Sequence, residues 1–319
     1  MATARRSLSS YGSFADGIII RGMPLLTLYP GNVYWVDSNG GGGSKGTFAH
    51  PVATIAEGLA LVTNDNGDIV CVKPGHTETL TATMADSGTG FALIGLGFGD
   101  NRPTITMSHT SADDGWDLDG DDIVIYNIKF VDGDAGATGA LPCINCSGDN
   151  FHIENCYFYL GEDMSTCVTH DTTEKFGFHF INNTIYGYKA GPDVGVRFEK
   201  THWNAVISGN TWLFGTSAGC DTGCIVFVSG TTGGNHLIEH ERVLGLADGE
   251  CYLNQSVIQA DSLATDIIML SDDSTDALGV STASGFGFIN CFATEPGKGV
   301  PDATDHVGAR PLATTPAHA

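Results

Sequence analysis

The sequence predicts an all-β chain wound as a parallel β-helix. Three nonapeptides carry that expectation: DIVIYNIKF ending at Phe130, NFHIENCYF ending at Phe158 and FHFINNTIY ending at Tyr186. Their asparagines, Asn127, Asn155 and Asn183, are spaced 28 residues apart. Two residues before each Asn stands Ile125, Ile153 or Ile181, the residue after it is Ile128, Cys156 or Thr184, and three after it come Phe130, Phe158 and Tyr186. A weaker copy, AVISGNTWLF, sets Asn210 27 residues after Asn183, with Ser208 in the isoleucine slot and Ile207 beside it, a register slip of one.

A period of this length marks a solenoid or a propeller. Within each unit apolar and polar residues alternate with period 2, the signature of a strand, and Asn or Gly closes the strand where the backbone must turn. One or two short strands per unit, rather than the four of a propeller blade, select a parallel β-helix whose turns stack at about 4.8 Å. Like residues then stand above like. Ile125, Ile153 and Ile181 are expected in one buried column, with Lys129 and Glu154 on the outward parity. The asparagines are expected to form a structural ladder at a left-handed bend.

Composition fits one elongated domain. The chain has 319 residues, 42% of them hydrophobic, and 43 glycines, about twice the usual share, as repeated tight bends require. No apolar run reaches the roughly 18 residues of a membrane span, and MATARRSLSSYGSF lacks a signal-peptide core, so synthesis in a cytoplasm is expected. The nine cysteines are an odd number. Cys156 and Cys291 directly follow the Asn of a strand motif and Cys71 lies in IVCV, positions where a free thiol acts as a small hydrophobe. Cys143-x-x-Cys146 and Cys220-x-x-x-Cys224 have ligand-like spacing but no second pair at zinc-finger distance, so no metal or other cofactor is expected.

Four regions follow. Residues 1–32 form an arm with the apolar stretch GIIIRGMPLLTLYP, and residues 33–67 supply a strand, a Gly-rich loop and a capping helix. In PVATIAEGLALVT, Val52, Ile55, Leu59 and Val62 recur at helical spacing, so this helix should cover the open first turn. Residues 68–295 form the β-helix, with GFGFINCFATE as the last clear strand. Residues 296–319 are a tail with Pro296, Pro301, Pro311 and Pro316, where no further sheet pairing is expected.

DIVCVKPGHTETLTATMADSGTGFALIGLGFGDNRPTIT resembles the opening turns of pectate-lyase-like right-handed β-helix proteins: a strand, a Pro-Gly bend, an outward strand, then an apolar strand ending in Gly-x-Gly. The preceding YWVDSNGGGGSKGTFAHPVATIAEGLA is similar to a strand, Gly loop and capping helix of tailed-phage virion structural proteins, capsid decorations or spikes. The likeness spans roughly residues 33–215. It implies a right-handed, single-stranded helix and a homotrimer. For function the fold decides little, because it hosts enzymes and inert virion parts alike.

Catalysis on this scaffold needs two carboxylates about 5 to 10 Å apart, two residues apart on a strand or one turn apart in the stack. The candidates are Asp117, Asp119, Asp121 and Asp122, then Asp171 with Glu174, and Asp272 with Asp273. All sit beside Gly, Ser or Thr and read as solvated turn formers. A lyase needs a cationic base, yet Arg102, Lys129, Lys175, Lys189, Arg197, Lys200 and Arg242 are scattered among many more acids. Asp117-x-Asp119-x-Asp121 lacks the downstream Glu of an EF-hand loop, and His76 in PGHTE reads as a bend residue. The expectation is therefore no enzyme.

Charge is uneven along the chain. Through Arg21 there are three cations, Arg5, Arg6 and Arg21, against Asp16, a net +2; the remaining 11 cations and 36 acids leave −25, completing the net −23. Such a body does not attract nucleic acid or anionic membrane. A basic, apolar arm suits docking to a larger acidic surface. The sequence thus points to a structural protein of a tailed-phage virion, assembled in the host cytoplasm. On this reading it is a capsid decoration, held on the major capsid protein or on tail proteins by Arg5, Arg6, Arg21, Ile18, Ile19, Ile20, Leu25 and Leu26. The alternative is a tail spike or fibre that binds or cleaves host surface polysaccharide.

Overall fold

Bends that recur once per rung set the architecture. In the computed structural model, the described residues are 18–20, 23–25, 31–40, 45–109, 114–133, 142–161, 164, 166–172, 174–187, 194–214, 223–228, 233–246, 251–255, 259–271, 277–281, 286–294 and 310–311. They form a right-handed parallel β-helix with three long sheets. The first runs from Val33–Val36 to Phe286–Ile289 in ten strands, the second from Thr77–Leu80 to Phe292–Thr294 in nine, and the third from Met84–Asp86 to Ala277–Ser281 in eight. A small fourth sheet joins Lys175–Phe176, His202–Trp203, Gly233–Gly234 and Gln259–Ala260.

The corner between the first and second sheets is one left-handed residue per turn: Asn127 (φ 60°), Asn155 (54°), Asn182 (54°), Gly209 (70°), His240 (55°), Asp266 (55°) and Asn290 (52°). Asn, Asp and Gly pay least in this region. Each corner's N–H donates to the residue just before the next corner, as Asn127 does to the Glu154 carbonyl (3.0 Å) and Asn155 to that of Ile181 (3.1 Å). A second left-handed column, at Asp122, Asn150, Gly177, Asn204 and Asn235, opens the first sheet.

This geometry corrects one expected column. Ile125 pairs with Ile153, but Ile153 pairs with Phe180, while Ile181 lies beside the outward Glu154. The slip thus falls one turn earlier than the sequence suggests. Asn182 and Asn183 are adjacent, and counting alone aligned the wrong one with Asn155. Asn182 takes the bend, and Asn183 takes the buried slot of Cys156. The second-sheet column corrects likewise: Phe130 and Phe158 stack at 5.0 Å, Ile185 continues them, and Tyr186 instead stacks outside on Tyr159 at 5.1 Å.

Asn183 and Asn210 build a ladder inside the wall. The Cys156 N–H donates to Asn183 Oδ1 (2.8 Å), and the Asn183 N–H to Asn210 Oδ1 (2.8 Å). Their own amides donate inward, to the carbonyls of Ile153 (3.0 Å) and Phe180 (2.9 Å). Glu241 takes the next rung, fully buried, and accepts from the Asn210 N–H (2.9 Å), Asn210 Nδ2 (2.9 Å), Trp212 Nε1 (2.6 Å) and the Tyr252 hydroxyl (3.1 Å). Burial pushes its carboxyl up to about 7. Under the third sheet, buried His170, His202 and His236 stack among Phe178, Phe198 and Phe227. Burial lowers all three, His202 to about 2 and His236 to about 4.

The capping helix is shorter than its apolar pattern, Ile55–Leu59, with a capping box formed by Thr54 and Glu57. A Cβ on Gly58 would stand 2.7 Å from Val36 Cγ2 and 3.0 Å from Val70 Cγ1, so glycine lets the helix lie against the first rung. Val33–Val36 is that first rung, paired in parallel with Asp68–Val72. Ile18–Ile20 and Met23–Leu25 form an antiparallel hairpin in a sheet of their own. The proline-rich tail does pair, against expectation: Arg310–Pro311 adds antiparallel to Phe292–Ala293. A terminal edge strand leaves one side of the proline unpaired, which makes it tolerable there.

Candidate active site

The outward face of the third sheet carries the site. Register places Asp117, Asn145, Thr169 and Arg197 one above another on successive rungs. Two residues further along their strands, on the same face, stand Asp119, Ser147, Asp171 and Glu199. A groove of about 220 Å³ runs over these rungs, lined by Asp114, Asn145, Thr169, Asp171, Arg197 and Glu199 with Pro142 and Thr166.

Asn145 organises the carboxylates. It is 7% exposed, and its Nδ2 lies 3.1 Å from Asp114 Oδ2, 3.4 Å from Asp117 Oδ1 and 3.2 Å from Asp171 Oδ2. An amide has two hydrogens for these three acceptors, so Asn145 alone does not serve all three at once. All three contact oxygens fall within roughly 7 Å of one another, so none is farther from the others than the carboxyl pairs of glycosidic cleavage stand apart. Asp171 also accepts from the Ser147 and Thr172 hydroxyls, both at 3.1 Å. Asp117 has its carboxyl raised above the usual range, first by burial and then by the charges of Asp119, Asp114 and Asp171. The arrangement therefore sets a carboxyl whose affinity for its proton is raised beside one that accepts from two hydroxyls. On the next rung Arg197 Nε lies 2.9 Å from Glu199 Oε1, so its charge is largely spent within the groove.

Of the residues singled out in the sequence, Asp117 and Asp171 come together here. Asp119 is exposed beside them. Asp122 and Glu174 are left-handed bend residues, and Asp121 accepts from the Asp149 N–H in the same bend. Asp272 and Asp273 lie outside the described residues. His76 is buried after the Pro74–Gly75 turn with Nε2 3.3 Å from Glu78 Oε2, and Glu78 in turn accepts from the Ile55 N–H at the helix start. Cys71, Cys143, Cys146, Cys156, Cys167, Cys224 and Cys291 are buried free thiols. Burial pushes Cys71 and Cys156 up to about 12, so they are inert packing groups. Among the described residues no three His, Cys, Asp or Glu side chains form a metal-binding set. Of the residues expected to anchor the chain, Ile18, Ile19, Ile20 and Leu25 lie in the hairpin strands, while Arg5, Arg6, Arg21 and Leu26 fall outside the described residues. Asn145 and Asp114 were missed in the sequence, although Asn145 follows Asp117 by the same 28 residues as the repeat.

No protein-family model and no curated protein sequence matches the chain. Among solved structures, a rhamnogalacturonan lyase is similar over 83% of this chain and 74% of its own, at 14% identity and a TM-score of 0.56. A GH136 lacto-N-biosidase from Eubacterium ramulus aligns over 82% and 68% at 8% identity with a TM-score of 0.30. The pectate lyase Pel9A aligns over 80% and 78% at 13% identity with a TM-score of 0.26. The first likeness establishes the fold; the other two scores are too low to carry argument. The expectation of no enzyme is corrected by that first likeness: this architecture serves a lyase, and here its outer wall gathers carboxyls that sequence had read as separate turn residues.

Proposed function

We propose that the protein binds a polysaccharide along the third sheet and cleaves it by hydrolysis. The observation that carries this reading is the Asp114, Asp117 and Asp171 cluster around Asn145, with Asp114 and Asp171 lining the groove and Asp117 one rung below Asn145. In the reaction Asp117 donates its proton to the glycosidic oxygen as the bond to the anomeric carbon breaks. Asp171, on the other side of Asn145, stabilises the positive charge developing on the sugar and directs water or its own oxygen to that carbon. Thr166, Thr169 and Arg197 offer hydrogen bonds to sugar hydroxyls along the rungs. The acidic groove disfavours a polyuronate, whose carboxylates it repels.

The setting we infer is the tail of a phage particle, as a spike or fibre, with the N-terminal segment as its mount and a homotrimer as its assembly. This rests on the resemblance of residues 34–60, and imaging labelled particles separates a tail position from a capsid one. The activity is tested by incubating the purified protein with neutral, amino-sugar and uronate polymers. Release of reducing ends from a neutral or amino-sugar polymer, reduced about 100-fold or more in Asp117→Asn and Asp171→Asn, is the expected result. Absence of release from every polymer, or release untouched by both substitutions, overturns the reading.

A further inference from the structure

We infer that the outward face of the second sheet is the surface through which a second copy of this chain binds. The chain carries 37 acids. Yet among the described outward positions of this sheet, from Thr77 to Phe292, none is Asp or Glu, and the charged ones are Lys129 and Arg242. The outward faces of the other two long sheets are different. The third carries the acidic groove, and the first presents Glu154 and Glu239.

The acid-free face is also apolar and regular. Tyr159 and Tyr186 stack with ring centroids 5.1 Å apart and planes 18° from parallel. Leu213, Leu244 and Leu270 continue that line by strand register, and Ile268 beside them is 49% exposed. Two features select a second copy as the occupant. Copies of a chain with net charge −23 repel wherever acids face each other, and this is the long face on which they do not. A second copy also brings the same rung spacing of about 4.8 Å, so tyrosines and leucines can interdigitate rung after rung, which a surface of another pitch does not allow. The line spans roughly 19 Å, four steps of the rung spacing, which puts the contact near the small end of specific interfaces and makes association concentration-dependent. Salt should strengthen it, because the acidic remainder of each copy is then screened.

Sedimentation of the full chain at rising concentration and salt tests this. The wild type should move from 33.4 kDa to a multiple of it, more readily at high salt. The pair Thr184→Glu and Thr211→Glu, half-exposed positions on this face, should stay at 33.4 kDa with unchanged circular dichroism and melting. If the pair disturbs folding, Lys129→Glu alone supplies the same readout. A wild type that remains at 33.4 kDa throughout, or a folded variant that assembles as the wild type does, overturns the inference.

Discussion

Replacing Glu241 by Gln should change how stability depends on pH. Glu241 is fully buried, and its carboxyl rises from an ordinary 4.5 to about 7 despite four donors, because burial penalises the charge more than they repay. Above pH 4.5 the unfolded chain releases this proton while the folded chain keeps it, so each step in pH favours unfolding until the folded group also ionises near 7. A displacement of this size corresponds to about 3 kcal/mol lost between those limits and constant beyond. Gln keeps the shape and the acceptor for Asn210 but does not titrate. The buried histidines titrate identically in both proteins, so the wild-type and variant difference isolates Glu241. Urea unfolding at intervals from pH 4 to 8 is the assay. The variant should gain about 3 kcal/mol relative to wild type across the range. A difference that is flat with pH would refute the buried-acid argument.

The histidine stack has the opposite slope. His202, lowered to about 2 with neither ring nitrogen hydrogen-bonded, stays neutral in the fold while the unfolded chain protonates below about 6.5, so stability falls on acidification. His202→Phe should flatten the loss between pH 6.5 and 4, and an equally steep loss in the variant counts against it. Ile153→Ala should cost about 2 to 5 kcal/mol in chemical unfolding, since Ile153 is fully buried between Ile125 and Phe180. Glu154→Ala, an outward residue whose partner is His152 at 2.8 Å, should cost within about 1 kcal/mol, and equal costs would contradict the assigned faces.

The repeat was legible where one residue type marks one role. Asn127 and Asn155 at the corner and Phe130 on Phe158 follow directly from the 28-residue spacing. Legibility ended where turns differ in length: the chain shortens by one residue before Asn182, and two adjacent asparagines concealed it. Glu241 was not legible because a carboxylate replaces the expected amide in the ladder. Asp117 and Asp171 were visible singly, but they belong to alternate rungs, 28 and 26 residues from Asn145. Only strand pairing fixes those two steps and brings the carboxyls together. Pro311 misled because proline excludes interior pairing but not a final edge.

The polysaccharide reading is tested most directly by a crystal structure of Asp117→Asn bound to an oligosaccharide that the wild type cleaves. The account predicts a sugar chain crossing the rungs of the third sheet, with a glycosidic oxygen within hydrogen-bond reach of residue 117 and the anomeric carbon facing Asp171. A sugar seated instead on the first sheet, beside His152 and His179, would contradict it.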